Sequence, residues 1–457
     1  MISTEDVVKA TGGVLLNGDM GITFTGVSHD TRTIKPGELF VAIKGPRFDG
    51  HDFVLEAIEK GARGALVSYW PENINIFELH KAVSIVKVPD TLKALGDLAA
   101  YWRKKLNAKV FAISGTCGKT TTKEILATLL EDYQTFKTPW NWNNLIGLPL
   151  TILNTPLEAQ FLVLELGTNI PGEIARLTEI ASPEVAIFLG SAPSHLEGLG
   201  TPENVFKEEI DVLLKASQAT WVYPYDSSET RDFIASLNHQ GREISFGFEK
   251  GADLKGEIIK VSLDGTQVKI YYQNDIYDAR IPLLGKPFVF DTLAALAGAL
   301  GTGLDLQELI TKLEKLKSPP HRLEPKRGDN FWVLDDTYNA NPASFKAAAE
   351  VLAAIKPQFS KVLAVVGDMK ELGEKASFYH DEVGRMLAEV CDQILAIGEY
   401  AKDLARGGGE KVKVFSDKAA LLEELRQVIV PETLVFVKGS RAMAMEKIVE
   451  ELLGEKV

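Results

Sequence analysis

Hydrophobic residues in the first part of the chain occur in short runs separated by polar residues. The runs at 39–43, 65–68 and 83–86 are rich in the side chains that favour strands, and the spacing near 53–59 favours a helix. Asp90 then precedes a segment whose apolar residues recur at helical spacing, so a connecting helix is predicted to begin there. Residues 1–88 are therefore predicted to form a small α/β domain.

From residue 109 onward the pattern changes to strand, glycine turn and helix. Further strand-like runs follow at 161–164, 185–189 and 220–223, and this alternation predicts a parallel sheet covered by helices on both faces. Between about 256 and 282, two alternating runs joined by Asp264 and Gly265 predict an antiparallel hairpin attached to that sheet.

A proline-rich segment at 318–325 marks the next change, because proline would stop a helix that reaches it. Beyond it, apolar runs such as 331–336 and 361–368 alternate with helical segments, which is typical of a Rossmann-like, doubly wound domain. The chain has 457 residues, of which 45% are hydrophobic, enough for about three cores. We expect three α/β domains at 1–88, 89–317 and 318–457.

The formal net charge of −13 argues against a nucleic-acid-binding protein, since an acidic surface repels phosphate backbones. Cys117 and Cys391 lie too far apart in sequence to suggest a disulfide framework or a zinc site. The first residues include acids where a secretory signal has a basic flank, and no run approaches the roughly 20 apolar residues of a membrane span. We expect a cytoplasmic monomer that does not insert into a membrane.

A phosphate-binding loop (P-loop) is predicted between the strand at 109–114 and the helix that follows it. In such a loop glycines let backbone N–H groups turn towards phosphates, a lysine balances their charge and a hydroxyl can reach Mg²⁺. A simple glycine turn with a surface lysine is the alternative. The nucleotide-binding candidates are Gly115, Thr116, Cys117, Gly118, Lys119, Thr120 and Thr121.

Several motifs together resemble the Mur ligase family. GTCGKTTTKE, NWNNLIGLPLTIL, LELGTNIPGEI and SHLEGLG occur in the order and spacing that characterise it. GVSHDTRTIKPGELFVAIKGPRFDGHDF resembles its UDP-binding domain, whereas LDDTYNANPAS, VVGDMKELGE and VKGSRAMAMEKIV resemble members that add a terminal dipeptide. Folylpolyglutamate synthases share the central and C-terminal plan but are not expected to carry the first domain.

The resemblance implies an ATP-dependent, ADP-forming ligase of peptidoglycan precursor synthesis, with Mg²⁺ as cofactor. It would join D-alanyl-D-alanine to UDP-N-acetylmuramoyl-tripeptide through an acyl phosphate. A related ligase that adds a single amino acid, or a non-catalytic regulator that binds nucleotide sugars, is the alternative.

The resemblance also assigns roles to individual residues. The catalytic candidates are Lys119, Glu165, His195 and Arg322, and the magnesium candidates are Thr120, Glu165 and His195. Asp336 would contact the ribose of ATP. The candidates for binding the other substrates are Asn339 and Asn341 for the dipeptide, and Asp30, Thr31, Arg32, Asp49 and His51 for the UDP part. For several of these an ordinary alternative remains, such as an exposed loop histidine at His195 or an asparagine-rich turn at 339–341.

Two segments depart from the family pattern. Family members carry a lysine, which can be carbamylated, where alignment from His195 places Glu209, so Glu209 is predicted to supply a carboxylate to the metal directly. Relatives also hold adenine with a His-Asn pair and a later Asn, where this chain has Pro287, Phe288 and Asp291. The resemblance therefore leaves nucleotide preference open.

Overall fold

The computed structural model describes residues 1–70 and 75–454, so the last three residues of the predicted third domain lie outside the described part. Over these residues the chain forms four β-sheets packed against helices, which confirms the predicted α/β class with three domains. The boundaries at 88/89 and 317/318 stay predictions. Within the described ranges, no helix combines the length and the apolar character needed to cross a membrane.

The first domain contains a five-stranded sheet in the order β2-β7-β6-β5-β4, in which only β2 is antiparallel to its neighbour. Its strands are β1 (Ile2–Ser3), β2 (Val14–Asn17), β3 (Thr23–Phe24), β4 (Val27–Ser28), β5 (Leu39–Val41), β6 (Gly64–Val67) and β7 (Ser84–Lys87), and its helices are α1 (Thr4–Thr11) and α2 (Val54–Glu59). The predicted helix near 53–59 is thus confirmed. Strands β1 and β3 pair separately.

The central region contains a nine-stranded sheet in the order β16-β15-β14-β13-β12-β11-β8-β10-β9. The strands are β8 (Lys109–Ser114), β9 (Thr135–Lys137), β10 (Phe161–Glu165), β11 (Val185–Phe188), β12 (Thr220–Pro224), β13 (Glu243–Gly247), β14 (Leu254–Ser262), β15 (Gly265–Tyr272) and β16 (Asp275–Ile281). The helices are α3 (Thr91–Arg103), α4 (Lys119–Leu129), α5 (Gly147–Leu153), α6 (Glu173–Ala181), α7 (Leu196–Leu199), α8 (Pro202–Leu214), α9 (Ser228–Ala235), α10 (Gly285–Gly301) and α11 (Leu306–Thr311).

Two predictions for this region, the capping of α3 by Asp90 and the hairpin near 256–282, are confirmed, and the hairpin has an additional strand. The Asp90 side chain accepts hydrogen bonds from the backbone N–H groups of Leu92 and Lys93, as expected of the residue that caps α3. The pairing of β14 with β15 closes at Ser262 and Gly265, as predicted for the hairpin. A third antiparallel strand, β16, extends that hairpin into a meander.

The third domain contains a six-stranded sheet in the order β17-β18-β22-β19-β20-β21, parallel except for the edge strand β17. Its strands are β17 (Glu324–Arg327), β18 (Phe331–Asp336), β19 (Lys361–Val366), β20 (Gln393–Ile397), β21 (Val412–Phe415) and β22 (Thr433–Lys438). Its helices are α12 (Pro342–Ile355), α13 (Ala376–Val390), α14 (Ala401–Gly408), α15 (Lys418–Val428) and α16 (Glu446–Leu453).

Helix α10 joins the central region to the third domain. It is apolar on nearly all sides, and Phe288 and Leu293 belong to the same buried cluster as Phe345 and Leu352 of α12. Burial of apolar surface on both sides of α10 favours docking of the two domains. This contact brings the ends of β8 and β10 close to the ends of β18 and β22.

Candidate active site and substrate-binding cavity

The loop after β8 has the backbone geometry of a phosphate-binding turn. Gly115 and Gly118 have φ angles of 138° and 85°, values that residues with a Cβ atom rarely adopt. A Cβ at Gly115 would lie 2.8 Å from Leu189 Cβ, and a Cβ at Gly118 would lie 2.2 Å from Asp291 Oδ1. Helix α4 begins at Lys119 directly after the loop, so its N-terminus adds positive potential.

The loop opens into a cavity of about 360 Å³ between the central region and the third domain, which we call the interdomain cavity. Most of the predicted nucleotide, metal and dipeptide residues come together there. The residues that line it are Thr116, Cys117, Gly118, Lys119, Thr120, Thr121, Asn141, Asn143, Glu165, His195, Pro287, Phe288, Asp291, Arg322, Leu323, Asp336, Tyr338, Asn339, Asn341, Ser344, Ala347 and Lys438.

Glu165 lies at the end of β10 and is only 3% exposed. Its carboxylate accepts hydrogen bonds from Thr120 Oγ1 and Asn143 Nδ2, each at 3.0 Å, and lies 3.5 Å from the buried Lys123 Nζ. These partners offset the cost of burying a charge. The sequence analysis missed Lys123 and Asn143, because a lysine inside a helix and an asparagine in a polar loop carry no distinguishing signal.

The third domain contributes two cations. Arg322 Nη2 donates to Thr120 Oγ1 at 3.2 Å, and its guanidinium lies 4.2 Å from the centre of the Tyr338 ring. Lys438 is buried and donates to Asp336 Oδ2 at 2.5 Å and to Asn339 O at 3.0 Å. Asp336 is therefore held in place at the cavity wall by Lys438.

Asn341 has a structural partner as well as a place in the lining. Its Oδ1 accepts from the backbone N–H of Ser344, which caps helix α12, and its Nδ2 lies 3.5 Å from Cys117 Sγ in the phosphate loop. Residues 339–341 therefore form a turn that caps α12 and also contribute Asn339 and Asn341 to the cavity lining.

His195 is held by a residue that the sequence analysis did not single out. Its Nδ1 lies 2.8 Å from Glu371 Oε2, and Leu196 N donates to Glu371 O at 3.0 Å. A carboxylate can only accept, so Nδ1 carries a proton, and in the neutral ring the lone pair is on Nε2. Hydrogen bonding from His195 lowers the pKa of Glu371. Both residues have positive φ angles, 50° and 63°, which is uncommon outside glycine.

Glu209 lies behind the phosphate loop and does not belong to the cavity lining. It is buried on α8, where Oε2 accepts from Thr116 Oγ1 at 2.8 Å. Burial raises the pKa of Glu209 to about 8, against the opposing effects of Lys119 and Thr116. In this arrangement Glu209 supports the loop, and its role as a metal ligand stays a prediction.

A second cavity, of about 590 Å³, lies in the first domain and is called the first-domain cavity below. Three of the five residues predicted for the UDP part line it. The lining residues are His29, Asp30, Thr31, Arg32, Phe40, Ile43, Gly45, Pro46, Arg47, Phe48, Gly50, Phe53, Glu56 and Ile146. Arg32 donates to both oxygens of Asp30, and this contact lowers the pKa of Asp30 to about 2.

Asp49 and His51 lie beside this cavity but outside its lining. Ser68 N donates to His51 Nε2 at 2.8 Å, so the ring donates from Nδ1 to Asp49 Oδ1 at 2.6 Å. The ring also stacks on Tyr69 with centroids 4.1 Å apart. These contacts fix the segment that carries Gly50 and Phe53 of the lining. Asp49 and His51 therefore support the wall of the cavity from behind.

Three matching family models cover most of the chain. They are the Mur ligase family catalytic domain at 23–103, the Mur ligase middle domain at 113–299 and the Mur ligase glutamate ligase domain at 321–441. With the phosphate loop, these matches define a three-domain enzyme that uses ATP. The chain belongs to the Mur ligase family.

Individual relatives are similar over nearly the whole chain. The UDP-N-acetylmuramoyl-tripeptide--D-alanyl-D-alanine ligase of Escherichia coli K12 is 36% identical over 451 residues, which are 96% of each protein. A crystal structure of MurF from Acinetobacter baumannii has a TM-score of 0.89 at 31% identity and covers 99% of both chains. The MurF ligase from Thermotoga maritima in complex with ADP has a TM-score of 0.84 at 30% identity, covering 95% of this chain and 98% of that one.

Proposed function

We propose that this chain is the ATP-dependent, ADP-forming ligase that joins D-alanyl-D-alanine to UDP-N-acetylmuramoyl-tripeptide in peptidoglycan precursor synthesis. One observation carries the proposal beyond family membership. The segment before α5 supplies Asn141 and Asn143 to the interdomain cavity and Ile146 to the first-domain cavity. A single elongated substrate can therefore place its nucleotide in one cavity and its peptide end in the other.

The first-domain cavity is proposed to hold the UDP part. Arg32 and Arg47 line it and can fork around a diphosphate, while Phe48 and Phe53 offer flat apolar surface. Asp30 and Thr31 complete this side of the wall. Water-soluble, charged substrates fit the proposed cytoplasmic location, and a monomer stays our expectation.

The interdomain cavity is proposed to hold the triphosphate of ATP against residues 115–120. Thr120, Glu165 and His195 offer a hydroxyl, a carboxylate and an imidazole to the same cavity, a donor set that Mg²⁺ accepts. Bound there, Mg²⁺ would neutralise charge between the triphosphate and a substrate carboxylate. Glu209 would join this set only by turning away from Thr116.

In the proposed reaction the terminal carboxylate of the tripeptide attacks the γ-phosphorus, which gives an acyl phosphate and ADP. The amine of the dipeptide then attacks the acyl carbon, phosphate leaves and the amide forms. Lys119 and Arg322 would stabilise the charge on the transferred phosphoryl group, and Asn339 and Asn341 would position the dipeptide. Docking of the third domain would exclude water from the acyl phosphate.

Release of ADP, measured with each substrate omitted in turn, tests this proposal. We expect release only when ATP, the UDP-linked tripeptide and D-alanyl-D-alanine are all present. Turnover with diaminopimelate or lysine but not with the dipeptide would assign the chain to a ligase that adds single amino acids. Binding of the UDP-linked substrate without ADP release under any condition would favour the regulator.

A further inference from the structure

Arg322 lies between two residues with left-handed backbone conformations. His321 and Leu323 have φ angles of 61° and 45°, in a region that residues with a Cβ atom rarely adopt. Such conformations cost free energy, so they persist only where the surrounding structure imposes them. The contacts that impose them therefore also determine where the side chain of Arg322 begins.

Two adjacent acids at the end of β18 hold the residues on either side of Arg322. His321 Nδ1 lies 2.8 Å from Asp335 Oδ2, and Leu323 N donates to Asp336 Oδ1 at 3.1 Å. A carboxylate can only accept, so the imidazole of His321 donates from Nδ1 to Asp335. The segment is thus tied to the third-domain sheet at both of its strained positions.

Asp335 is a firmly held acceptor. It is 0% exposed, and Oδ2 also accepts from Lys326 Nζ at 2.9 Å. Oδ1 accepts from the backbone N–H and the hydroxyl of Thr337, at 3.2 Å and 2.7 Å. Burial would raise the pKa of Asp335, but the hydrogen bonds from Thr337, Lys326 and His321 lower it. Asp335 lies outside the lining of the interdomain cavity, so its effect on the reaction would pass through the residues that it holds.

The same cluster also has the spacing of a metal site. The ligand atoms of His321, Glu324 and Asp335 lie within 4.8 Å of one another. However, Lys326 Nζ lies 2.9 Å from Asp335 Oδ2 and 3.7 Å from Glu324 Oε2, so a cation of the chain itself already lies against both carboxylates. Glu324 Oε2 also accepts from His321 N at 3.1 Å. These contacts favour an anchor for the segment over a metal site.

The far end of Arg322 depends on the same anchor. Its guanidinium lies 4.2 Å from the centre of the Tyr338 ring and donates to Thr120 Oγ1 at 3.2 Å. Tyr338 N in turn donates to His321 O at 3.1 Å. An arginine side chain has many rotamers, and ordering it costs entropy that fixed neighbours reduce. A shift of His321 would therefore move both the start of the side chain and the ring beneath its guanidinium.

We propose that Asp335 and His321 are positioning residues, which hold the guanidinium of Arg322 against the phosphate loop for phosphoryl transfer. The inference rests on the proposed function in one respect, namely that Arg322 stabilises the transferred phosphoryl group. A misplacement of about 1 Å can lower a rate by up to about 10²-fold, so a loosely held arginine would contribute much less than an anchored one.

Three variants separate the hydrogen bond from the backbone strain. His321→Gly removes the ring but adopts positive φ freely, whereas His321→Asn also tolerates positive φ and keeps an N–H donor. Asp335→Asn removes the charge of the acceptor with little change of shape. Asp392→Asn is the matched control, because Asp392 of the same domain also accepts from a backbone N–H, that of Val362, and from Lys356, but lies outside both linings.

Initial rates of ADP release would be measured for each variant of the full chain, alone and combined with Arg322→Met. Alone, His321→Gly and Asp335→Asn should each lower kcat about ten- to thirtyfold and leave KM for the UDP-linked substrate unchanged. His321→Asn should retain most of kcat, and Asp392→Asn should behave like the unmodified chain. Combined with Arg322→Met, His321→Gly and Asp335→Asn should lower kcat by less than about twofold further, because the arginine that these residues position is absent.

Three results would overturn the inference. They are an unchanged kcat in His321→Gly, equal losses in His321→Gly and His321→Asn, and losses that multiply with that of Arg322→Met, which would show that the anchor acts independently of the arginine. If Asp335→Asn does not fold, the two His321 variants decide the question by themselves. If the unmodified chain releases no ADP, the proposed function fails and the inference fails with it. Normal release with multiplying losses rejects the positioning role alone.

Discussion

The first-domain cavity and the interdomain cavity are built in different ways. All but one of the residues that line the first-domain cavity come from the first domain, Ile146 being the exception. The interdomain cavity combines Lys119 and Glu165 of the central region with Arg322, Asp336 and Lys438 of the third domain. Its cations therefore converge only while the two domains are docked.

This difference separates binding from chemistry. Under the proposed function, the nucleotide end of the substrate binds to a cavity that is formed almost entirely by one domain. Phosphoryl transfer brings two anions together, which requires several positive charges at one place. Placing those charges on two domains means that the repulsion is offset only after docking has closed the cavity to water.

Replacing Arg322 by Met should impair the chemistry of the interdomain cavity and leave binding to the first-domain cavity unchanged. The change removes a third-domain cation that contacts Thr120. We expect kcat to fall by about 10²- to 10³-fold, while the dissociation constant of the UDP-linked substrate stays the same. Initial rates of ADP release and binding calorimetry measure the two quantities.

The matched control for that variant is Arg441→Met. Arg441 is an exposed arginine of the same domain that pairs with Glu446 and lies outside both linings. It should leave kcat unchanged. A kcat for Arg322→Met equal to that of the unmodified chain would show that the third domain does not supply charge to the reaction.

Replacing Glu371 by Gln should weaken the hold on His195 across the domain boundary. Carboxylates that orient a metal-binding histidine fix its tautomer, and their loss lowers metal affinity by about 10- to 100-fold. We expect at least a tenfold rise in the Mg²⁺ concentration that gives half-maximal ADP release, together with weaker binding of Mn²⁺ measured by electron paramagnetic resonance. The affinity of the first-domain cavity for the UDP-linked substrate should not change.

Glu374→Gln provides the control, since Glu374 is an exposed acid three residues further along the same segment. Equal Mg²⁺ dependence in both variants would indicate that the contact between His195 and Glu371 is only structural.

The sequence was sufficient to predict the elements that local pattern determines. Apolar runs predicted β18 and β19, and the glycines of the phosphate loop predicted its strand, turn and helix. By contrast, β17 has the sequence EPKR, which shows no strand pattern. Proline and charged residues are tolerated there because β17 is an edge strand. Propensity therefore located the central strands and missed this edge.

Partners distant in sequence could not be predicted from it. Nothing around Lys123 indicates that Glu165 will lie beside it, and nothing around Glu371 points to His195. The same limit applies to Asp49 and His51, which looked like ligand contacts because they belong to a binding segment. Their side chains are turned towards each other and Ser68, an orientation that tertiary packing decides.

Replacing Arg32 by Met should affect only the first-domain cavity. Arg32 is largely exposed and already paired with Asp30, so its interaction with a diphosphate is screened by water. We expect KM for the UDP-linked substrate to rise about three- to fivefold with kcat retained. Arg63→Met is the control, because Arg63 is an exposed arginine of the same domain outside the lining. A fall in kcat with unchanged KM would contradict the separation of the two cavities.

Acid should loosen the third-domain side of the interdomain cavity before it affects the first-domain cavity. Met369 N donates to His380 Nε2, and Nδ1 donates to Ala376 O, so both ring nitrogens are used by the neutral form. Burial lowers the pKa of His380, and Lys370 acts in the same direction, although Asp368 and Asp403 favour the charged ring. A lowered histidine pKa means that its stabilisation is complete above the unfolded-state value near 6.5 and is lost as pH falls below it.

Hydrogen exchange of the segment at 367–374, which carries Glu371, measures this effect. Exchange at pH 5.5, corrected for the intrinsic pH dependence, should be about three- to tenfold faster than at pH 7.5. The ratio should shrink in His380→Gln, which cannot take up the proton. Exchange at the first-domain cavity should respond less, because the contacts of His380 with Met369 N, Ala376 O and the Tyr400 ring all lie in the third domain. Equal acceleration of both segments would mean that acid unfolds the chain as one unit, and the two cavities would then share a single stability.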